Sequence, residues 1–402
     1  MKTSSGHLTY CTNIHAGKDW STDFEQLKTH FPGIKAAISP EAPMGLGLRL
    51  SNAASIALQD ASTRGEFKDW LTATDAYVFT MNGFPYGDFH DTVVKAAVHS
   101  PDWTTPERKA YTLRLISILE DLLPAEQDGG ISTSPLSYRH WFRDEEAKAA
   151  AVNTATLNLL EVLKTLIALY LKTGKEIHLD LEPEPDGLIE SGAEYISWYE
   201  QHLLPLGIPV ISSAFEISAS EAEVLIKQHL CLCYDVCHFA VGYEDHGAVL
   251  QVLESKGLKV GKIQISAALK GQFLQEQSRA QVLEEFKAFD EPTYLHQVVA
   301  RNAAGSLTRY PDLDEALAKF PEQETTEWRA HFHVPISVDE IENLQSTQAD
   351  ILEVLAIQQQ HPFTNHLEVE TYTWAVLPEG LKLPIGQSII KELDWVIKHA
   401  IK

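Results

Sequence analysis

Positive charge is in short supply in this chain. Its 402 residues carry 32 Lys and Arg against 56 Asp and Glu, a formal net charge of −24. Such a balance lacks the basic footprint of a nucleic-acid binder and is repelled by phosphate backbones and by an anionic leaflet. Much of the surplus is ordinary solvated surface. The partner classes left are a small-molecule metabolite, a metal or another protein, with no nucleic acid.

Cysteine is as sparse. Four residues cannot make a disulfide scaffold for this length, and Cys231, Cys233 and Cys237 in CLCYDVCH lack C-x-x-C spacing. They read as buried reduced thiols, with Cys237 alone adjacent to chemistry. Long apolar runs are missing too. No stretch approaches the ~20 uninterrupted apolar residues of a membrane span, and MKTSSGHLTY has no signal-peptide core. The expected compartment is the cytoplasm. There is no internal repeat, linker of low complexity or glycine-rich phosphate loop, which counts against an open doubly wound sheet.

Hydrophobic residues at 44% and charged residues at 22% describe an ordinary globular chain. Strand-like runs at Leu8–Ile14, Gly45–Leu50, Tyr77–Met81, Gly130–Thr133, Ile177–Leu181, Cys231–Asp235, Lys259–Ile265, His331–Ile336 and His366–Glu370 alternate with helix-period segments. Those segments are Phe24–His30, Ser55–Leu71, Pro106–Leu123, Asp144–Leu171, Glu221–His229, Ala248–Lys256, Val338–Gln358 and Gln387–Ile401. Residues SAS before Glu221 and SVDE before the seventh segment have the form of helix N-caps. Alternation of this kind predicts an α/β fold of parallel β-α units, and eight units suit a single (β/α)8 TIM barrel over residues 1–402. Nine strand candidates leave one in excess. It is assigned to an insertion between the last two barrel strands, residues 270–347 at the barrel mouth, which holds an apparent hairpin, YLHQVVARNAAGSLTRY, and an extra HFHVPI segment.

In such a barrel the carboxyl ends of the strands build the site. In IHLDLEPEPDG, period 2 puts His178, Asp180 and Glu182 on one face. Glu182 at the strand end is read as functional, His178 and Asp180 as inner polar network and Glu184 as a loop residue. In CLCYDVCHFAV, Asp235 and His238 stand three apart after an apolar run and need partners once buried. Glu368 and Glu370 share a face in HLEVETYTW; two buried carboxylates repel, which favours protonation or a cation between them. Glu370 is the functional one and Glu368 a salt-bridge candidate. Gln264, Ser266 and the loop residue Lys270 follow in KIQISAALKG, and His331 and His333 share a face in AHFHVPI. His7, His15, Arg49, Asn82, Ser132, Ser134, Arg139 and His140 add hydrogen-bonding groups suited to a polyol or sugar pocket.

The expected metal set is Glu182, Asp235, Glu370 and either Gln264 or His333, with His238, His15, Asn82 and Lys270 toward the substrate. Mixed carboxylate and nitrogen ligands suit a divalent Mn²⁺, Mg²⁺, Zn²⁺ or Fe²⁺. Glu182 and Glu370 are the expected catalytic pair for proton transfer.

At LEPEP, YDVCH, KIQISAAL and LEVETY the chain resembles the xylose-isomerase-like TIM-barrel superfamily of sugar isomerases, ketose 3-epimerases and an abasic-site endonuclease. The resemblance implies that Glu182 before Pro183 is a metal ligand and base, Asp235 a ligand, His238 a substrate contact and Glu370 the last ligand and second acid/base. Gln264 stands where that pattern has a histidine, and His333 is the available substitute. The negative charge counts against the endonuclease activity. Over nearly its whole length the chain looks like the EboE family of metabolite-traffic proteins, through GHLTYCTNIH, YVFTMNGFPYG, GGISTSPLSYRHWF, HLDLEPEPDG, CYDVCHFAVGYE and KIQISAALKG. That implies a role with a membrane prenyltransferase-like partner in moving or maturing a secondary-metabolite precursor. Two functions follow from this reading: a metal-dependent sugar or polyol isomerase or epimerase, or a barrel that binds a metabolite without turnover.

Overall fold

A computed structural model describes residues 1–15, 17–88, 93–273, 276–320, 324–378, 380 and 382–400. The strands are β1 (Lys2–Thr3), β2 (Gly6–Tyr10), β3 (Met44–Arg49), β4 (Ala76–Asn82), β5 (Gly129–Thr133), β6 (Ile177–Leu181), β7 (Leu230–Asp235) and β8 (Val260–Ile265). They continue as β9 (Ala267–Gln272), β10 (Val298–Asn302), β11 (Leu307–Tyr310), β12 (Thr325–Val334), β13 (Glu340–Ile341), β14 (Leu344–Ser346) and β15 (His366–Val369).

The fold is mixed α/β, built on a nearly closed nine-stranded sheet in the order β1-β2-β15-β8-β7-β6-β5-β4-β3. β1 is antiparallel to β2, and every other pairing in this sheet is parallel. The two ends of its parallel part, β2 and β3, meet at a parallel bridge between Cys11, just past β2, and Gly47. Side-chain hydroxyls supply what the ladder lacks there. Thr9 Oγ1 donates to the Gly45 carbonyl at 2.8 Å and accepts from Gly47 N at 3.1 Å, and Thr12 Oγ1 accepts from Arg49 N at 2.8 Å. Gly47 has to be glycine at this seam, because a Cβ would stand 1.9 Å from Glu368 Oε1 and 2.7 Å from the Tyr10 carbonyl.

Parallel neighbours need crossovers, and helices make them. They include Trp20–Ile38, Ala61–Ala73, Pro106–Leu122, Glu145–Thr173, Ala219–His229, His246–Ser255, Gln348–Gln360 and Ile385–Ala400. The core lies between these helices and the sheet, through residues such as Phe31, Phe79, Leu115, Leu163, Ile263 and Leu393. Burying each such side chain contributes about 1.5–3 kcal/mol. The helix Glu145–Thr173 is long and apolar enough to cross a bilayer by length and composition alone. In this fold its Ala155, Leu159, Leu163 and Ile167 are buried in the core instead.

Ser218 caps its helix as expected, with Glu221 completing a reciprocal capping box. The cap expected at SVDE does not form. Glu340–Ile341 is strand β13, hairpinned to β14, and the helix begins only at Gln348. Val338, Ile341 and Leu344 repeat every third residue, which imitates a helix face. The stretch Gly192–Phe215 is helical around a π-helical turn at Tyr199–Leu203, although Pro205 and Pro209 had left it without a helical signal.

A second, antiparallel sheet in the order β11-β10-β12-β9-β14-β13 stands at the carboxyl ends of the parallel strands. It starts at Ala267, two residues after β8 ends. The hairpin expected in YLHQVVARNAAGSLTRY is β10–β11. The HFHV of HFHVPI is the end of β12, which pairs on one side with β10 and on the other with β9, the strand that holds Lys270, read as a loop residue from the sequence.

Candidate metal centre

Several strands deliver side chains to one buried spot at the carboxyl rim of the parallel sheet. Glu182 follows β6 and is ended by Pro183; Asp235 closes β7; Gln264 is the penultimate residue of β8; Glu370 follows β15. All four are buried. β12 reaches across from the second sheet to add His331 and His333.

The contacts are tight. Gln264 Nε2 donates to Glu182 Oε1 at 2.7 Å and lies 3.5 Å from Asp235 Oδ2. Asp235 Oδ1 accepts from Ser266 Oγ at 2.7 Å and from the His238 backbone N–H at 3.2 Å. Glu370 Oε1 accepts from both Asn13 and Asn82 side-chain amides, each at 2.7 Å. His333 Nδ1 donates to the Glu370 carbonyl at 2.9 Å, which leaves its Nε2 as a lone pair 4.0 Å from Asp235 Oδ2.

Electrostatics at this rim are unbalanced. Burial and then the neighbouring charge of Asp235 hold the Glu182 carboxyl well above its usual range. Burial, then Glu182 and Asp235, do the same to Glu370 and to Glu184. Asp235 goes the other way: burial opposes it, but His238, His333 and the Ser266 hydroxyl favour its charged form and lower it. Burial pulls His333 down to about 4, so it is a neutral imidazole near pH 7. Lys262 could offset the acids, but its ammonium is committed to Glu368 in mid-sheet and to the Met81 carbonyl at 3.2 Å.

At this spot Glu182 Oε2, Gln264 Oε1 and His333 Nε2 have no hydrogen-bond partner among the described residues. Beside them, His238 Nδ1 donates to the Pro183 carbonyl at 2.8 Å and His331 Nδ1 to Gln297 Oε1 at 2.8 Å. Both Nε2 lone pairs then face each other at 3.1 Å, which requires a proton or a cation between them. Ligand atoms of Asp235, His238 and His333, and of Glu184, His238 and His331, lie within 4.8 Å of one another in each group. Buried carboxylates, neutral imidazoles and orphaned donors are the donor chemistry a divalent cation takes.

Glu182, Asp235, Gln264, His333, Glu370, His238 and Asn82 are therefore brought together. Lys270 and His15 are not. Lys270 lies in β9, paired with Arg329 and Gln345. His15 contacts Tyr10 Oη at 3.3 Å and stacks on His30, beside the helix Trp20–Ile38. Glu184, read as a loop residue, lines the cavity, with its Oε1 3.8 Å from His331 Nδ1. Its signal was the E-P-E-P repeat, where period 2 continues past the strand. Asn13 was also missed, inside the seam string CTNIH. The cavity among these groups is about 50 Å³, room for an ion or a water or two but not a sugar.

The chain matches no family model and no curated protein. Solved structures it is similar to include the IolI protein with a binding zinc atom, at 12% identity over 98% of both chains and a TM-score of 0.45. The probable 3-DHS dehydratase AsbF, involved in petrobactin synthesis in Bacillus anthracis, gives 10% identity over 98% of both chains and a TM-score of 0.44. A xylose isomerase domain containing protein from Salmonella typhimurium LT2 gives 9% identity, 99% of this chain, 98% of that chain and a TM-score of 0.43.

Proposed function

We propose that the chain is one (β/α)8 barrel of the xylose-isomerase-like kind, with residues 270–347 inserted between its last two strands, and that it acts on a sugar- or polyol-like metabolite as a metal-dependent isomerase or epimerase. The observation that carries this reading is the set of three mutually repelling buried carboxylates, Glu182, Asp235 and Glu370, beside the orphaned His333 Nε2 and Gln264 Oε1. Those five residues would hold the ion. A divalent cation there would polarise a substrate carbonyl or hydroxyl.

The protein's own groups divide the remaining work. Glu182 and Glu370 come from different strands, so one takes a proton from a substrate carbon and the other returns it. Asn13 and Asn82 orient Glu370 through Oε1 and leave its second oxygen for that transfer. His238, coupled to His331, holds a substrate hydroxyl, and loss of His238 weakens binding more than turnover. A sugar needs more room than the present cavity, so the wall carrying Val94, Val98 and Leu295 has to move on binding.

A second reading is a barrel that carries the metabolite without turnover, in a metabolite-traffic system of the EboE kind with a membrane prenyltransferase-like partner. It is favoured by Gln264, whose amide donates to Glu182 Oε1 and so satisfies one oxygen of that carboxylate without an ion. Elemental analysis of the purified chain and solvent-deuterium exchange into ketoses and polyols separate the two. Metal present and exchange lost in Glu182→Gln and Glu370→Gln supports the enzyme. Exchange that survives both substitutions overturns the proton-transfer pair.

A further inference from the structure

The same sheet buries a second group of ligand-type side chains at its amino-terminal rim, away from the carboxylates described above. His178 is the second residue of β6, His366 the first of β15, and Asp128 directly precedes β5. One ligand atom from each lies within 4.8 Å of the other two. His366 is fully buried, yet its Nδ1 has no hydrogen-bond partner among the described residues, and its Nε2 reaches only to 3.5 Å from Asp128 Oδ2. Asp180 Oδ2 is likewise buried without a partner. Leaving such groups uncompensated costs on the order of several kcal/mol, and buried groups of this kind are normally satisfied by protein, water or an ion.

His178 is set up as a ligand. Its Nδ1 donates to Asp180 Oδ1 at 2.6 Å, which leaves Nε2 as the lone pair and fixes the ring, as a carboxylate behind a ligating histidine does. Glycines on neighbouring strands keep the space open. A Cβ on Gly130 would stand 2.8 Å from Asp180 Oδ2 and 2.9 Å from His366 Nδ1, and one on Gly261 would stand 1.9 Å from Asp180 Oδ1. His178 and Asp128 line a cleft of about 610 Å³ that opens at this rim.

We propose that this rim is a second metal site, in which Asp128, His178 and His366 bind a borderline divalent transition ion of the Zn²⁺ class with one position open to the cleft. Two imidazoles and one carboxylate with a vacant position match the donor set such ions take. Asp180 is a positioning residue, acting through His178. This site needs neither the carboxyl-rim metal nor any turnover there.

The test is Zn²⁺ stoichiometry and affinity of the full-length, chelator-stripped chain, by equilibrium dialysis with elemental analysis. One equivalent should be removed by Asp128→Asn and by His366→Gln while Glu182→Gln leaves it in place. Asp180→Asn should weaken that equivalent about 10–100-fold, and loss of a ligand should cost more. Asp128 is partly exposed, so Asp128→Asn keeps the test open should His366→Gln not fold. A wild type in which Asp128→Asn changes no Zn²⁺ equivalent, including one that binds none, overturns the site.

Discussion

The two rims of the parallel sheet bury the same residue types and balance them differently. At the carboxyl rim burial and neighbouring acids raise the proton affinity of Glu182, Glu184 and Glu370, while His238 and His333 lower that of Asp235; Lys262, a cation that could offset the acids, is held by Glu368. At the amino rim each acid stands beside an imidazole: Asp180 against His178 at 2.6 Å and Asp128 against His366 at 3.5 Å. Mid-sheet, the Lys262–Glu368 pair separates the two. Buried charge is tolerated in this sheet where a counter-group stands beside it, on the same strand for Asp180 and His178 and on the adjacent strand for Glu368 and Lys262. At the carboxyl rim, where burial keeps imidazoles such as His333 neutral and leaves Glu182 and Glu370 without a counter-charge, the site calls for protons or a cation from outside.

The largest effect is expected from the mid-sheet pair that separates the two rims. Lys262→Met leaves Glu368 buried and unpaired and should cost about 3–5 kcal/mol in urea unfolding. The double variant Lys262→Met/Glu368→Leu should recover most of that loss. A single-variant cost within experimental error of zero would mean the mid-sheet pair does not carry the charge balance.

The next effect sharpens the amino rim. Gly261→Ala forces a Cβ against Asp180 and should destabilise by about 1–3 kcal/mol, since overpacking of a filled interior costs that much. Gly65→Ala, in the helix Ala61–Ala73 with nothing within 4 Å of its Cβ, should instead stabilise by about 0.4–1 kcal/mol. Equal effects in thermal or urea unfolding would show that the glycine at the rim is not making room for Asp180.

The smallest expected effect is a pH slope. Glu182, Glu184 and Glu370 have folded pKa values raised above 4.5, so the folded chain keeps protons that the unfolded chain has released. Their contribution favours folding at low pH and is lost as pH rises through the raised values. His331 and His333 are lowered from 6.5 and act in the opposite sense, but only below about that pH. Above it, the melting temperature of the metal-free chain should fall with pH. Glu182→Gln should flatten the fall by on the order of 2 °C, and saturating divalent metal should reverse it. A Tm that rises with pH in the metal-free chain would contradict the unbalanced carboxyl rim.

Much of this architecture was legible as periodicity. The strands around His178, Asp235, Gln264 and Glu368 announced themselves by alternation or by short apolar runs, because a strand in a nearly closed sheet must send every second side chain inward. Glu368, read as a salt-bridge candidate, pairs with Lys262 in mid-sheet, and Glu370, read as the functional carboxylate, lies buried at the cavity. The irregular helix across Gly192–Phe215 was hidden by its prolines, and β13–β14 by apolar spacing that mimics a helix. Lys270 was misplaced for a related reason. The strand that holds it, β9, pairs with β12 some sixty residues later, and no local pattern encodes such a partner.

What the amino-acid order determined by itself was which residues face inward and at which end of each strand they stand, since period 2 and the Pro183 stop are local properties. Which of those residues meet was decided only by tertiary structure. Asn13, from the turn after β2, and Asn82, from the end of β4, converge on Glu370, while His333 arrives from a different sheet altogether. His178 and His366 are separated by most of the barrel's second half in sequence, yet their rings stand 5.0 Å apart. Closure of the sheet creates both encounters, and closure is a property of all the strands together that no single segment carries.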